Sequence, residues 1–535
     1  MTYSVVWFKR DLRVVDHAAL HAAALRGPVL CLYVIEPSVW AQPDAAHQHY
    51  LFLLESLRDL DTDLRCLGGQ LHVIAGEFVA SLARLFVANP FNAIYAHEET
   101  GNDITYKRDL QVGQWCQSNK VEFHEFKQFG VVRKLKNRDD WKSHWDKHVR
   151  SPLLPAPAID NLQFVPLPWP ATLLPSPAKL GLTTDVKFAA PRLRQLGGRR
   201  LGLEVLQDFL SDRSAQYRGG ISSPLSAPTA CSRLSPYLAF GCVSLREVVQ
   251  STYHAIAELP SGNSAAGWQK KGLVAFVSRL YWHCHFIQKL ESEPELEYQN
   301  VHRSYDGLRE NDWNPAHFEA LITARTGWPL VDACVVMLRE TGWLNFRMRA
   351  MLVSVAAYPL WLHWRPVGEW LARQFLDYEP GIHWSQMQMQ SGTTGINTPR
   401  VYNPIKQAQD HDPQGHFVRR WLPYMRRVPD AWLFEPRRMP QAMQEHLKLT
   451  VGINDGKGAE FDIPMPLVDL QTATREAKAK LFALRAQPEV RAGKAAIVEK
   501  HASRAKKPAF KTRSSRKAKA SPKINVENPQ ITLDF

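Results

Sequence analysis

Three stretches of this chain place chemically capable residues at close spacing. In Cys231-Ser232-Arg233-Leu234-Ser235-Pro236, two hydroxyls and an arginine precede a proline, and proline fits best in the first turn of a helix. A helix start flanked by serine hydroxyls is a ready phosphate site, although the same residues also make an ordinary N-cap. Further on, Gly342-Trp343-Leu344-Asn345-Phe346-Arg347-Met348-Arg349 supplies Arg349, and Phe375-Leu376-Asp377-Tyr378-Glu379-Pro380-Gly381 supplies Asp377. An arginine and an aspartate on adjacent helices form a buried pair, which is costly unless well hydrogen-bonded and so usually serves a purpose. Near the start, Trp7-Phe8-Lys9-Arg10-Asp11-Leu12-Arg13 reads as a buried strand running into a polar loop. Doubly wound folds bind ligands at the carboxyl ends of such strands; a charged turn closed by its own salt bridges is the alternative.

The elements that must position these residues fall into two patterns. Over the first 130 residues, apolar runs at Ser4–Phe8, Val29–Ile35, Leu71–Ile74, Ala93–Ala96 and Val121–Phe126 alternate with amphipathic stretches at His17–Arg26, His49–Leu67, Val79–Asn89 and Tyr106–Asn119. Strand–helix alternation predicts a doubly wound parallel sheet, an α/β domain over residues 1–132. Eight prolines between Pro152 and Pro177 interrupt any long helix, because each lacks an N–H and disfavours helix before it. Residues 133–202 therefore read as an interdomain linker draped over the surface. Helical periodicity with many tryptophans dominates 203–485, an all-α domain. Residues 486–535, rich in Lys, Arg, Ala and Ser, have the composition of a disordered basic tail.

At 535 residues the chain is too long for one core. Its 45% hydrophobic and 22% charged residues are ordinary for a globular protein. No apolar run approaches a membrane span, and Met1–Trp7 lacks the basic and apolar regions of a signal peptide. The seven cysteines form no CxxC pair, which predicts reduced thiols in a cytoplasmic protein and no metal site. A monomer is expected. The net charge of +14 points to a polyanionic partner, but eleven Lys/Arg against one acid lie between Arg491 and Ala520. The folded part is only mildly basic.

Taken in order, VVWFKRDLR with its following Asp16 and Ala19-Leu20, then CSRLSPYLAFG, RTGWPLVDA, TGWLNFRMR, FLDYEPG and VYNP resemble the photolyase/cryptochrome family. The resemblance spans nearly all of residues 3–435. It implies an α/β antenna domain, a helical domain holding a U-shaped FAD, and blue-light-driven electron transfer. Residue by residue, Tyr217, Ser232, Arg233, Leu234 and Ser235 match the segment holding the FAD phosphates and ribityl chain. Cys231 replaces the usual Thr of that motif, so one hydroxyl is lost. Trp343, Arg349 and Asp377 match positions around the isoalloxazine, and Glu379 replaces a second Asp. His383 matches the position facing flavin N5, as a proton donor or a simple hydrogen-bond partner. His283 takes the place of a phosphate-binding Arg.

The lesion-contacting Trp and Glu of cyclobutane-dimer photolyases read here as Phe276 and Arg279. Phe276 can stack on a base, and Arg279 can stabilise a radical anion but cannot act as an acid. The paired His of (6-4) photolyases is absent, since Asn345-Phe346 stand there. Of the tryptophan chain that reduces the flavin, the outer members match Trp364 and Trp313. The inner member reads Met387, with Trp384 as its substitute. Arg347, Arg400 and Lys406 are candidates for DNA phosphates. Glu98 and Glu99 fall near the strand end where relatives hold a second chromophore, a folate or a deazaflavin. The resemblance thus implies a photolyase-type lyase acting on ultraviolet-induced pyrimidine lesions in DNA, flipped from the helix. A cryptochrome-like photoreceptor is the alternative, and a non-photochemical flavoprotein the third reading.

Overall fold

Val, Ile and Leu runs with no polar alternation can be buried on both faces only inside a parallel sheet covered by helices. In the computed structural model, which describes residues 2–158, 162–170, 173–182, 190–261, 264–396, 398–453 and 461–501, five such runs form the strands β1 Ser4–Phe8, β2 Val29–Ile35, β3 His72–Ala75, β4 Ala93–His97 and β5 Glu122–Phe126. They lie in the order β3-β2-β1-β4-β5, all parallel, with Val5 opposite Leu30 on one side and Ile94 on the other. The connecting helices Ala18–Ala24, His47–Cys66, Phe78–Ala88 and Asp103–Asn119 stand where the sequence pattern predicts them. The chain reverses direction of winding between β1 and β4, the place where doubly wound sheets open a ligand crevice.

The proline-rich stretch is less bare than expected. Trp141–Arg150 is a helix whose Trp141, Trp145 and Val149, at four-residue spacing, are buried. Trp141 and Trp145 meet Tyr281 at ring distances of 4.9 and 5.2 Å. Four-residue spacing on one apolar face outweighs the prolines because the latter begin only after Ser151. Beyond them, Val29 exchanges backbone hydrogen bonds with Gln163 and Val165, which covers the β2 edge below β3.

The rest of the described chain is helical apart from a two-residue parallel ladder, Val451–Gly452 with Ile463–Pro464. Its centre is the 29-residue helix Ser264–Ser292. Gly272 lets this helix touch Ser214, whose carbonyl oxygen would clash with any Cβ there. The loop after β1 plugs into this domain. Arg10 Nε donates to the Ala239 carbonyl (2.7 Å) and Arg13 Nη1 to the Gly241 carbonyl (2.9 Å). Gly241 has φ +65° and a Cβ on it would strike the Arg10 carbonyl, so both its conformation and its space require glycine.

The chain after Ala486 departs from expectation. Pro488–His501 is a helix, with Val490 and His501 buried and His501 Nε2 2.6 Å from the Glu293 carboxylate. Packing on the domain, not local composition, orders it. The remainder of the predicted tail, residues 502–535, lies outside the described residues. No helix among the described residues is long and apolar enough to cross a membrane.

Candidate functional site

Asp377, in the turn between the helices Trp364–Gln374 and Pro380–Ser391, is the centre of the helical domain's polar cluster. Arg349, from the helix Phe346–Ala357, donates to both its oxygens at 3.0 and 2.9 Å, a bidentate pair. The Ser235 hydroxyl donates to the same carboxylate at 2.6 Å. Burial alone would raise the Asp377 carboxyl, but Arg349 and Ser235 outweigh it and hold it below the ordinary carboxylate range. Arg349 also donates from Nε to the Leu344 carbonyl (2.6 Å) and lies 4.1 Å over Phe375. Two helix ends and a loop from distant parts of the sequence are thereby tied at one point.

Arg233 stands beside this cluster in a different state. Its guanidinium covers the Trp343 ring at 3.9 Å and has no hydrogen-bonded carboxylate among the described residues. Burial pushes its pKa down to about 10, with Asp377 the main opposing charge. Its backbone is left-handed, φ +63°, a conformation that costs energy in a non-glycine residue and gathers at functional sites. A cation with no hydrogen-bonded carboxylate, next to two serines and an aromatic ring, fits the pyrophosphate and ring system of a flavin dinucleotide. Tyr217, buried behind it, packs edge-on against Phe209 and Phe276 and hydrogen-bonds Arg279. Leu234 is fully buried and Ser232 half-buried.

Several sequence-derived assignments change. Phe276 is enclosed edge-on between Phe209 (4.8 Å) and Tyr217 (5.8 Å) and is 3% exposed, so it presents no face to a base. Its i, i+3, i+4 neighbours on the helix put it on the core side, a side the residue type alone does not reveal. His283 lies against Phe129 at 5.3 Å; burial and Arg10 push its pKa to about 4, so it brings no charge to a phosphate. His383 is likewise neutral, with a pKa pushed by burial to about 4. Its Nε2 proton is donated to the Gly368 carbonyl (2.9 Å), leaving Nδ1 as an acceptor. It can take a hydrogen bond but has no spare proton to give. Glu379 turns away from Arg349 and pairs with Arg10 at 3.0 Å, with burial raising its carboxyl to about 7.

The aromatic chain is partly assembled. Trp384 and Trp364 are both buried with rings 5.9 Å apart, and His383 meets Trp384 at 4.9 Å. Trp313 instead packs on Phe318 at 5.1 Å. Of the proposed phosphate contacts, Arg400 and Lys406 are exposed, Lys406 already paired with Asp410 at 3.2 Å, while Arg347 is half-buried beside His411.

In the α/β domain a cavity of about 160 Å³ opens at the switch point, lined among others by Trp7, Tyr33, Glu36, Glu99, Arg108 and Tyr378. Arg108 is a hub: it reaches Glu36 (2.8 Å), Glu99 (2.5 Å) and Asp109 (2.9 Å), and Lys9 adds a second cation on Asp109 (3.0 Å). Of the two acids picked from the sequence, Glu99 lines this cavity; Glu98 faces Arg133 and Glu125 instead. The sequence reading missed Arg108, Glu36 and Tyr378. Glu36 follows the apolar run Val29–Ile35 and Arg108 lies within an amphipathic stretch, each as an ordinary surface charge would, and only the sheet order brings them together. A buried trio, Asp11, His17 and His97, lies at the same strand ends. His97 Nδ1 and His17 Nε2 are 2.7 and 3.0 Å from one Asp11 oxygen, and His17 Nδ1 accepts the Leu20 N–H. The His97–Asp11 hydrogen bond ties the β1 loop to the sheet.

A doubly wound parallel sheet joined to a helical domain with an aspartate-centred polar cluster defines a two-domain protein with side chains suited to phosphate groups. Comparison with known proteins identifies which. The family described as "DNA photolyase" matches residues 4–135, and "FAD binding domain of DNA photolyase" matches residues 276–483. The chain belongs to the photolyase/cryptochrome family and carries its FAD-binding domain. Cryptochrome DASH of Gloeobacter violaceus is 28% identical over 87% of this chain and 93% of its own length. A deoxyribodipyrimidine photo-lyase of Vibrio cholerae is also 28% identical, over 82% and 93%. The fold matches the crystal structure of a class III photolyase from Agrobacterium tumefaciens with a TM-score of 0.75 at 23% identity, covering 91% of this chain and 98% of that one.

Proposed function

We propose that this protein is a photolyase-type lyase that uses blue light to repair ultraviolet-induced pyrimidine lesions in DNA. The observation that carries the reading is the polar cluster at Asp377: an Arg349–Asp377–Ser235 triad beside a cation, Arg233, with no hydrogen-bonded carboxylate among the described residues. Arg233, Ser232 and Ser235 would hold the FAD phosphates, and Arg349, Asp377 and Trp343 its ring system. Bound FAD would supply light absorption and one-electron transfer. The chain's own residues do the rest. The triad would hold the ring's polar edge, Nδ1 of neutral His383 would offer an acceptor, and the packed rings of Phe276 and Tyr217 would help to exclude water. Arg279, half-buried next to Tyr217, would meet negative charge on a lesion. Arg347, Arg400 and Lys406 would position phosphates without reading sequence.

The α/β cavity is a candidate for the second chromophore, a folate or deazaflavin, with Glu99 and Tyr378 at its wall. A crystal structure named for an archaeal photolyase of Sulfolobus tokodaii is described as holding two FAD molecules, with the implication of a novel light-harvesting cofactor.

A cryptochrome-like photoreceptor with little repair is the second reading, favoured by the enclosure of Phe276 and by an arginine where an acid serves dimer repair. One experiment separates the two. Photoreduced protein is mixed with ultraviolet-irradiated thymine oligonucleotides under blue light and the restored thymine is counted. Restoration well above a dark control supports repair; none, with full flavin occupancy, leaves the photoreceptor.

A further inference from the structure

Trp384 and Trp364 touch each other but neither reaches the surface. An electron drawn from Trp384 must be replaced from outside, and the arrangement around Arg365 shows where. Its guanidinium lies 5.8 Å from the Trp384 ring on one side and 4.4 Å from the Tyr298 ring on the other, which keeps the two rings within about 10 Å. Arg365 is held there by a 2.6 Å bond to the Glu297 carbonyl and a 3.1 Å pair with Glu369. Tyr298 is 43% exposed, and its phenol hydrogen-bonds the buried carboxylate of Glu297, whose Oε2 accepts the Asp103 N–H at 2.7 Å.

We propose that Tyr298 is the terminal electron donor of this protein, with Glu297 as its proton acceptor and Arg365 as the residue that positions the pair. The inference rests on reading the Asp377 cluster as part of a flavin-driven electron-transfer site. The oxidant is a light-excited flavin or any one-electron photo-oxidant, which leaves Trp384 as a radical cation. Tyr298 then gives one electron to Trp384 and its phenolic proton to the Glu297 carboxylate. The products are a neutral indole, a neutral tyrosyl radical and a neutral carboxylic acid, so charge and atoms balance.

Three features send the vacancy to Tyr298. The Trp384 Nε1 proton has no acceptor among the described residues, so an oxidised Trp384 stays positive. Trp364 Nε1 meets only the Asn300 amide oxygen at 2.8 Å, a weak base. The Arg365 cation disfavours a positive ring on either side of it. Tyrosine alone has a carboxylate that takes its proton and leaves a neutral radical beside the guanidinium.

Because the carboxylate must be ionised to accept the proton, the route has a pH dependence. The charged and titratable groups facing Glu297 are Tyr298, Asp44, Arg365, Tyr378, and Asp103 with its partner Lys107. Burial is the largest influence and, with Asp44, raises the Glu297 carboxyl to about 7 against the opposing Asp103 N–H and Arg365. The tyrosyl yield should therefore be full above pH 7 and fall about tenfold per pH unit well below it, as the ionised fraction does.

The test follows the tyrosyl radical by electron paramagnetic resonance and transient absorption in the full chain. One arm excites flavin-loaded protein with blue light; the other excites flavin-free protein with a ruthenium polypyridyl photo-oxidant. The expected result is a tyrosyl signal that vanishes in Tyr298→Phe, and that in Glu297→Gln is at least tenfold weaker and flat with pH. Tyr298 is exposed and phenylalanine keeps its ring, so that variant should fold. A signal in the ruthenium arm alone overturns the flavin reading and keeps the donor. Tryptophan radicals only, in both arms, or a tyrosyl signal that survives Tyr298→Phe, overturns the proposal.

Discussion

The two buried polar regions of this molecule balance their charges in opposite ways. Around the α/β cavity, Arg108 and Lys9 are saturated by Glu36, Glu99 and Asp109 at 2.5–3.0 Å. Burial lowers the Arg108 pKa, yet its carboxylates outweigh that and hold it well above the usual value. In the helical domain one carboxylate, Asp377, serves Arg349 and faces Arg233 as well, and Arg233 is left near 10 by burial. In the first region the side chains balance one another's charge. The second is short of one anion, and that shortage is what marks it as a binding site. Burying charge costs several kcal/mol per ion unless it is paired, and Arg233, half-buried over Trp343, is the cation that a ligand's anion would complete.

The comparison can be broken most forcefully at Arg108. Arg108→Met leaves Glu36 and Glu99 without their cation and Asp109 with Lys9 alone, and should destabilise at the upper end of the roughly 3–5 kcal/mol seen when a buried pair is broken. Chemical denaturation measures it, and protein that does fold should still take up flavin. A loss below about 1 kcal/mol would mean that these pairs are effectively solvated.

Asp377→Ala should cost somewhat less, toward the lower end of the same roughly 3–5 kcal/mol range, because only one cation, Arg349, loses a direct partner, together with the neutral Ser235 hydroxyl. Its signature is different: the protein should purify colourless. Yellow protein with full flavin occupancy would remove the Arg349–Asp377 pair from the binding site.

Glu379, paired with Arg10, joins the two regions. In the folded chain it keeps its proton up to about pH 7, whereas the ordinary value is 4.5. Its contribution is therefore complete below pH 4.5 and is lost as pH rises toward 7, by about 1.4 kcal/mol per pH unit. Glu379→Gln, a neutral mimic of the acid, should flatten that part of the stability–pH curve of flavin-free protein. An unchanged slope would show that Arg10 holds Glu379 ionised.

The smallest effect is kinetic. Trp384→Phe should slow flavin photoreduction by about tenfold, or about 1.4 kcal/mol of barrier, while Met387→Leu stays within about twofold. Flavin content should be the same in both. Equal rates would make Trp384 a packing residue, consistent with its close approach to Gly368.

By itself the sequence determined the periodic elements and the local motifs. Every α/β strand and its helix lies within a few residues of its pattern, because two-faced burial and amphipathic spacing are properties of consecutive residues. The serine–arginine segment and the Arg349 and Asp377 motifs were legible because their order along the chain is specific. Tertiary structure alone decided which way side chains face and what surrounds them. Phe276 is a plausible base platform by type and a core residue by helix phase. The protonation of His383, His283 and Glu379 follows from burial, which no local motif records. The Arg108 hub and the Trp384–Arg365–Tyr298 alignment draw on residues tens of positions apart, and Pro488–His501 is a helix because Glu293 and His302 hold it. Contacts between distant segments exist only once the chain has closed on itself, so charge balance and electron path belong to the fold.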